Sequence, residues 1–255
     1  MRLAKLIRLP ILLLLLAGAA YPQVSLRDSS IRMGSVGIAY RGGLPGADLA
    51  GRGGWISQIG AEGGVKFRSN WYLQASVMYL FSDSTAVAGI IDPLLTPGGF
   101  VIADNGTLAE VQLLLSGASG AFTAGRIFSW KGAVNPNSGF FAEAGLQYLE
   151  HRVRIRTIGE TSVAALTGPY RKGYDRLRSG IGLRQAVGYR HFANNGYANF
   201  VIGLDFSQHL TWSRRSIDFV TGAADTRRRT DLISGIYAAW IFPLFTRAPD
   251  RIYYF

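Results

Sequence analysis

Residues 55–81 read WISQIGAEGGVKFRSNWYLQASVMYLF, and the side-chain pattern of this stretch decides the fold. From residue 55 onward the odd positions are mainly apolar or small, whereas Gln58, Glu62 and Lys66 occupy even positions. After a break at residues 68–70, apolar residues resume on odd positions. Because the side chains of a strand alternate between two faces, the stretch predicts a β-hairpin with one apolar face and one partly polar face.

Aromatic residues stand at both ends of this apolar stripe, and small aliphatic residues lie between them. In water, an apolar face of this width needs a second layer to cover it, and the sequence contains no amphipathic helix that could do so. In a bilayer the stripe faces lipid, and its aromatic ends lie at the two interfaces. The pattern therefore predicts a transmembrane β-barrel.

The first 20 residues have the pattern of a secretory signal peptide. Arg2, Lys5 and Arg8 precede the apolar run 11–20, which ends in small residues, so we expect cleavage after Ala20. The run is shorter than the roughly 20 residues that a spanning helix needs. The chain has no cysteine, which excludes disulfides, thiolate metal sites and cysteine nucleophiles. An exported chain with apolar alternation and no spanning helix indicates the outer membrane of a Gram-negative cell.

The same alternation predicts eight strands between Met33 and Leu244. They cover residues 33–40, 55–67, 71–81, 107–128, 140–156, 179–192, 200–212 and 230–244. We expect an all-β, closed antiparallel transmembrane barrel, because bacterial barrels have even strand numbers and have their long loops on the cell exterior. Residues 21–32 and 245–255 are then a periplasmic N-terminal segment and a periplasmic C-terminal tail. Irregularity in the fourth strand leaves a ten-strand count open.

A soluble eight-stranded barrel of the lipocalin kind is the rival architecture, because alternation alone does not say which face is inside. The aromatic-ended stripes, and glycines on the opposite face, favour lipid outside. The interior then receives a set of polar residues. They are Gln58, Glu62, Lys66, Gln74, Glu110, Gln112, Glu143, Gln147, Arg184, Arg190, Asp205 and His209. Eight strands leave room only for side chains, so we expect these charges to pair across a closed lumen.

An acid, a hydroxyl and an imidazole share one face of the seventh predicted strand. Asp205, Ser207 and His209 stand about 7 Å apart in succession, too far for a catalytic triad without partners from neighbouring strands. They also lie on the predicted inner face, away from lipid substrates. We therefore expect no enzyme activity, no catalytic or metal-binding residues and no cofactor. A lipid-modifying barrel enzyme and a narrow channel are the alternatives.

Basic residues concentrate in the third and fourth long connections. They are Arg152, Arg154, Arg156, Arg171, Lys172, Arg176, Arg178, Arg214, Arg215, Arg227, Arg228 and Arg229. The nearest polyanion outside such a cell is lipopolysaccharide, whose phosphates suit arginine. We expect these residues to contact lipopolysaccharide or an acidic partner protein, and we expect no nucleic acid as a partner.

The second long connection is unusually apolar. Its apolar residues are Ile90, Ile91, Leu94, Leu95, Phe100, Val101 and Ile102. Such a loop either folds over the barrel mouth or packs on another membrane protein. Together with the basic loops, it favours a structural or interaction role, as a subunit or scaffold of an outer-membrane secretion or assembly complex.

The chain from about Met33 to Phe242 resembles small outer-membrane β-barrels of the OmpA, OmpX and OmpW kind. Residues 172–177 (KGYDRL) and 213–216 (SRRS) are similar to segments of uncharacterised outer-membrane barrels of Bacteroidota. The resemblance implies the barrel fold and no particular activity. Last strands of such barrels carry an aromatic-ended assembly signal, which Trp240 and Phe242 match, although the chain continues to a terminal Phe255.

Overall fold

The computed structural model describes residues 29–82, 85, 87, 89–130, 132–159, 162–194 and 198–244. The predicted signal peptide, residues 21–28 of the predicted N-terminal segment, and the predicted tail lie outside the described residues. No helix in the described part of the chain is long and apolar enough to cross a membrane.

The described chain forms nine strands and four short 3-10 turns. The strands are β1 (Met33–Ala47), β2 (Ile56–Lys66), β3 (Trp71–Ser82), β4 (Val101–Ile102), β5 (Leu108–Phe128), β6 (Gly139–Ile158), β7 (Arg178–His191), β8 (Phe200–Ser213) and β9 (Arg229–Leu244). The turns are Ala50–Arg52, Asp92–Leu94, Ala164–Leu166 and Tyr170–Gly173.

Eight of these strands close into a ring. Neighbouring strands pair in the order β3-β2-β1-β9-β8-β7-β6-β5, and β5 pairs with β3 to complete the circle. All the pairings are antiparallel, and the short β4 pairs only with the start of β5. The predicted closed, eight-stranded antiparallel barrel is therefore confirmed, and a ring of ten strands is excluded.

Two local predictions are wrong. Residues 41–47, predicted as loop, continue β1, because Arg41 points into the barrel and the backbone around it still pairs with Tyr237 of β9. The fourth predicted strand, now β5, has no irregular segment, since its pairing with β6 runs without a break from Glu110 to Phe128. Pairing on both sides stabilises the glycine-containing part of this strand, which weak strand propensity alone did not predict.

The two ends of the ring differ in their connections. At the loop end, loop 1 (48–55), loop 2 (83–107, containing β4), loop 3 (159–177) and loop 4 (214–228) join the strands. At the turn end lie the shorter connections 67–70, 129–138 and 192–199.

Around the middle of the barrel, apolar side chains point outward and polar side chains point inward. Val77 is 71% exposed and Ile202 is 59% exposed, whereas Glu143, Arg184 and Asp205 are buried inside. Ten of the twelve predicted interior residues are buried, which confirms their placement. The interior placement predicted for Glu110 and Gln112 is wrong. Both are exposed on the outer face, because they share the even-numbered face of β5 with Phe122.

Aromatic side chains form a rim at each end of the outer apolar belt. The turn-end rim includes Trp71, Phe128, Trp130, Phe140, Tyr189 and Phe200, and the loop-end rim includes Tyr40, Trp55, Tyr79, Tyr148 and Trp212. In the turn-end rim, the Trp130 and Phe140 ring centroids are 5.3 Å apart. A belt with two such rims is typical of a barrel in a bilayer.

The polarity of the barrel inverts towards the loop end. There an apolar layer crosses the lumen, formed by Leu49, Ile56, Leu80, Leu115, Leu149 and Ile233. Beyond it, loops 2 and 3 pack on the tops of β5 and β6 around a lobe core of Ile90, Val101, Ala103, Ala109, Val153, Ile155, Val163, Leu166 and Tyr174. At the level of this lobe core the outward side chains of β6 are charged, whereas nearer the turn end they are Leu146 and Tyr148. This arrangement is that of a water-soluble protein, so the lipid-facing belt ends near Tyr148.

Candidate functional site

Three arginines continue the outward stripe of β6 beyond the aromatic rim. Arg152, Arg154 and Arg156, called here the arginine ladder, are exposed on the face that carries Leu146 and Tyr148 nearer the turn end. The register of β6 with β5 shows no bulge between these two parts. The ladder therefore lies on the lipid-facing side of the barrel, directly above the belt.

Arg171 of loop 3 adds a fourth guanidinium to this face. One outer groove is bordered by Arg152, Arg154 and Arg171 together with two acidic residues, Glu150 and Asp175. An adjoining groove is bordered by Arg154, Arg156, Arg171 and Thr167. The described part of the chain provides no ion-pair partner for any of these four arginines, so their charges remain available for an anion.

Five of the other predicted contacts instead have partners within loops 3 and 4 or at the adjoining strand ends. Their partners are as follows: Arg176 with Asp218 (2.9 Å), Arg178 and Arg229 with Asp225, Arg215 with Asp175 (2.5 Å), and Arg214 with the Ser179 hydroxyl (2.5 Å). Arg214 also lies 4.8 Å from the centroid of the Trp212 ring. These five residues therefore stabilise the loops, and the structure does not bring them to the ladder.

Two of these loop pairs lie outside the belt, and each shifts the pKa of one of its members. Hydrogen bonds to the Asp175 carboxylate raise the pKa of Arg215 above its ordinary value. Partial burial acts to raise the pKa of Asp225, but the adjacent Arg178 guanidinium lowers it more, so the net pKa lies below its ordinary value. Both shifts keep the ion pairs charged at neutral pH.

Lys172, Arg227 and Arg228 are exposed and have no ion pair among the described residues. Arg228 borders a separate groove beside Leu210 and Trp212, on the β8 side of the barrel. Of the twelve basic residues, the structure thus gathers Arg152, Arg154, Arg156 and Arg171 on one face and leaves these three apart from it.

The apolar loop 2 is divided between the lobe core and the surface. Ile90 and Val101 are buried in the lobe core, and Ile91 and Leu94 pack against it. Leu95, Phe100 and Ile102, in contrast, are exposed by 36%, 54% and 52%. Folding of loop 2 over the barrel therefore accounts for one part of its apolar character but not for the other.

The lumen contains a connected polar network between the two rims. Arg184 lies 2.5 Å from Glu143 and 2.6 Å from Asp205. Arg190 donates a hydrogen bond to Gln74 (2.8 Å) and lies 4.2 Å from the centroid of the Tyr72 ring. The predicted pairing of interior charges across the lumen is confirmed.

The lumen is also filled at both ends of this network. The apolar layer closes it on the loop side. At the turn end, Lys66 Nζ donates hydrogen bonds to Asn137 Oδ1 (2.9 Å), Ser30 Oγ (3.0 Å) and the Ile31 carbonyl (3.2 Å). Residues 135–138 thus fold across the barrel opening together with the segment before β1.

The acid, hydroxyl and imidazole of β8 do not form a relay. Asp205 pairs with Arg184, and the Ser207 hydroxyl has no hydrogen-bond partner among the described residues. The hydrogen-bonded imidazole of the interior is instead His151, whose Nε2 lies 2.9 Å from Asp231 Oδ2. Asp231 Oδ2 also accepts a hydrogen bond from the Thr211 hydroxyl (2.5 Å). Sequence spacing alone did not indicate this contact, because its three members come from three strands.

Comparison with known proteins gives similarities of fold. No protein-family model matches the sequence, and no curated protein matches it. Solved structures that the chain is similar to include the N-terminal β-barrel domain of OprF from Pseudomonas aeruginosa, with a TM-score of 0.38 and 10% identity over 84% of this chain and 100% of that one.

Two further similar structures are the attachment invasion locus protein Ail of Yersinia pestis and the outer membrane protein OprG of Pseudomonas aeruginosa. Ail gives a TM-score of 0.34 and 10% identity over 83% of this chain and 99% of Ail. OprG gives a TM-score of 0.32 and 10% identity over 84% of this chain and 97% of OprG. All three are outer-membrane β-barrels, the kind of protein that the sequence resembles.

Proposed function

We propose that this chain is an integral outer-membrane barrel that binds the phosphate groups of lipopolysaccharide through the arginine ladder and Arg171. The observation that carries the proposal is the change on the outer face of β6. That face is apolar as far as Tyr148, whose hydroxyl donates a hydrogen bond to Glu150 at the next outward position, and it carries a guanidinium at each outward position from Arg152 to Arg156.

The ladder lies just above the level expected for the phosphates. Lipid A phosphates lie at the surface of the outer leaflet, at the level where an aromatic rim meets the head groups. Arg152 is four residues beyond Tyr148, about 13 Å along the tilted strand and about 10 Å along the membrane normal. Guanidinium groups bind phosphate in bidentate geometry and keep their charge at all physiological pH values. Unpaired arginines at this height are therefore suited to lipopolysaccharide.

The filled lumen supports a structural and binding role over transport. An eight-stranded barrel has an interior that its own side chains can fill. Here the polar network, the apolar layer and the Lys66 contacts occupy it at three levels. We propose that the protein neither conducts ions steadily nor catalyses a reaction, and that it acts through its outer surface.

A matched pair of variants tests lipopolysaccharide binding. Arg152→Gln with Arg154→Gln removes two ladder charges, whereas Arg227→Gln with Arg228→Gln removes two exposed, unpaired charges away from the ladder. Exposed charge pairs contribute up to about 1 kcal/mol each, so we expect the ladder variant to bind about tenfold more weakly. Binding is measured with bisphosphorylated lipid A in nanodiscs, and monophosphorylated lipid A should bind more weakly to the wild-type protein.

Heat-modifiable gel migration of each variant shows that the barrel still forms. Equal losses for the two variants would indicate a general charge effect and would contradict the proposal, as would unchanged binding by the ladder variant.

A second role, as a subunit of an outer-membrane complex, is favoured by a different observation. Phe100, Ile102 and Leu108 are exposed by 54%, 52% and 62% on the outer face of the β4–β5 hairpin, far from the belt. Large apolar side chains at such a position commonly mark a protein contact. Isolation of the chain in mild detergent at native expression tests this role, and recovery of the chain without any stoichiometric partner would contradict it.

A further inference from the structure

The lipid-facing belt contains two amide side chains. Between the rims, the described outward positions of the eight strands are otherwise mostly apolar or small. Gln185 of β7 and Gln208 of β8 are the exceptions, and both lie on the outer face. Neighbouring outward residues are Leu183, Leu204 and Phe206.

Both amides lie deep in the belt. Gln208 is four residues from Trp212 in the loop-end rim and eight residues from Phe200 in the turn-end rim. With a rise of about 3.3 Å per residue and a strand tilt of about 40°, these separations are about 10 Å and about 20 Å along the membrane normal. Gln185 is four residues from Tyr189, which places it about 10 Å from the turn-end rim. Since the hydrocarbon is about 30 Å thick, neither amide reaches a head-group region.

The two amides satisfy each other only in part. Gln208 Nε2 donates a long hydrogen bond of 3.5 Å to Gln185 Oε1. Among the described residues, the side-chain oxygen of Gln208 and the side-chain N–H groups of Gln185 have no hydrogen-bond partner. No water is available in the hydrocarbon to bond them, and each unsatisfied group there is costly. The face therefore needs a covering surface that presents donors and acceptors at the same depth.

We propose that a second copy of this chain covers the face formed by β7, β8 and β9, as a two-fold dimer within the membrane. This inference depends on the proposed membrane location. Two copies in one membrane share the same orientation, so a two-fold axis along the membrane normal brings each residue opposite residues of equal depth. A primary amide is both donor and acceptor, so Gln208 of one copy complements Gln208 of the other.

The rest of the face suits the same partner. Two-fold interfaces are self-complementary surfaces, and no charged side chain lies between the rims on the outward faces of β7, β8 and β9. Ser234 of β9 lies in the same pairing row as Phe206 and Gln185 and provides a further small polar contact. The opposite side of the ring, around Val77 of β3, has apolar outward residues at this depth and no amide.

The absence of native cysteine allows a direct test in the full-length protein. Gln208→Cys is compared with Val77→Cys, which also lies between the two rims, on the strand opposite β8 in the ring. Outer membranes are washed with alkaline carbonate and then treated with an oxidant or a short bis-maleimide. We expect a cross-linked species of twice the chain mass for Gln208→Cys and little for Val77→Cys.

The alkaline carbonate wash distinguishes failure of the proposed membrane location from failure of the proposed dimer. Loss of the protein into the wash would contradict the membrane location and the dimer with it. Retention with equal or no cross-linking at the two positions would overturn the dimer alone. A Gln208→Cys product of a different mass would assign the face to another protein and would also overturn the proposal.

A variant without cysteine chemistry gives a second measurement. Gln208→Leu removes two reciprocal amide hydrogen bonds, each worth about a factor of three within a membrane. Sedimentation equilibrium in micelles should therefore show a dimer dissociation constant about tenfold higher than that of the wild type. Gln112→Leu, which removes an exposed amide of β5 outside the belt, serves as the matched control. Equal dissociation constants for the two variants would refute the role of Gln208.

Discussion

Glu143 is the acid on which the lumen network most depends, and its replacement by glutamine gives a sharp prediction. Its carboxylate lies 2.5 Å from Arg184 and 3.9 Å from Arg190, and it accepts a 2.7 Å hydrogen bond from the Tyr72 hydroxyl. Glutamine keeps the size of the side chain but removes the charge. Arg184 then retains Asp205 as its close acidic partner, and the network loses its balance of charge.

The magnitude follows from that balance. The buried network contains three guanidinium groups and three carboxylates: Arg41, Arg184, Arg190, Glu62, Glu143 and Asp205. Removing one member of a buried ion pair leaves an uncompensated charge and typically costs about 3–5 kcal/mol. We therefore expect Glu143→Gln to lower the free energy of unfolding by about 3–5 kcal/mol.

Reversible urea unfolding in detergent micelles or vesicles, followed by tryptophan fluorescence, measures this difference. The matched control is Glu110→Gln, the same substitution at an exposed site, for which we expect less than about 0.5 kcal/mol. A loss below about 1 kcal/mol for Glu143→Gln would show that the lumen is hydrated enough to screen Arg184, and it would refute the reasoning for a dry, paired interior.

Two further predictions concern backbone packing and loop electrostatics. A Cβ at Gly182 would lie 1.9 Å from the backbone carbonyl oxygen of Gln208, whereas a Cβ at Gly51 would meet no atom within 4 Å. Gly182→Ala should therefore reduce the folded, heat-modifiable band strongly and Gly51→Ala should not, and a normal band for Gly182→Ala would contradict the predicted clash. Because its pairing with Arg178 lowers the pKa of Asp225, the stabilisation of loop 4 should be full above the ordinary carboxyl pKa of about 3.8 and lost as pH falls through the lower folded-state value. Hydrogen exchange of residues 214–228 against pH measures this loss, and Asp225→Asn should remove the pH dependence.

Strand positions were predictable from the sequence because the belt imposes strict alternation. Each outward position of β8 must tolerate lipid, so Phe200, Ile202 and Leu204 show the face without any knowledge of their partners. Outside the belt the constraint disappears. For Glu110 the alternation predicts an interior position, because polar residues of the belt point inward, but at the loop end polar residues point outward into water.

Contacts within the lumen and between loops were harder to predict from the sequence. Pairing of Arg184 with both Glu143 and Asp205 joins three strands, and only the closed ring decides which inward residues share a level. The same applies to Arg215 and Asp175, which come from different loops. The sequence indicated where basic residues lie, but not which of them form ion pairs with neighbouring acids. Nothing in the sequence singles out Gln208, because a single amide hardly alters the alternation of an otherwise apolar strand.

The composition of β6 also fixes how deeply the molecule sits in its bilayer. Moving the barrel inward by two residues along the strand, about 5 Å of depth, would carry Arg152 towards the acyl chains. A basic side chain facing lipid costs roughly 2–4 kcal/mol at the midplane and less near the surface. Moving it outward would instead lift Tyr148 and Leu146 into water. One strand therefore resists both sinking and rising, and the height of every loop above the cell surface follows from it.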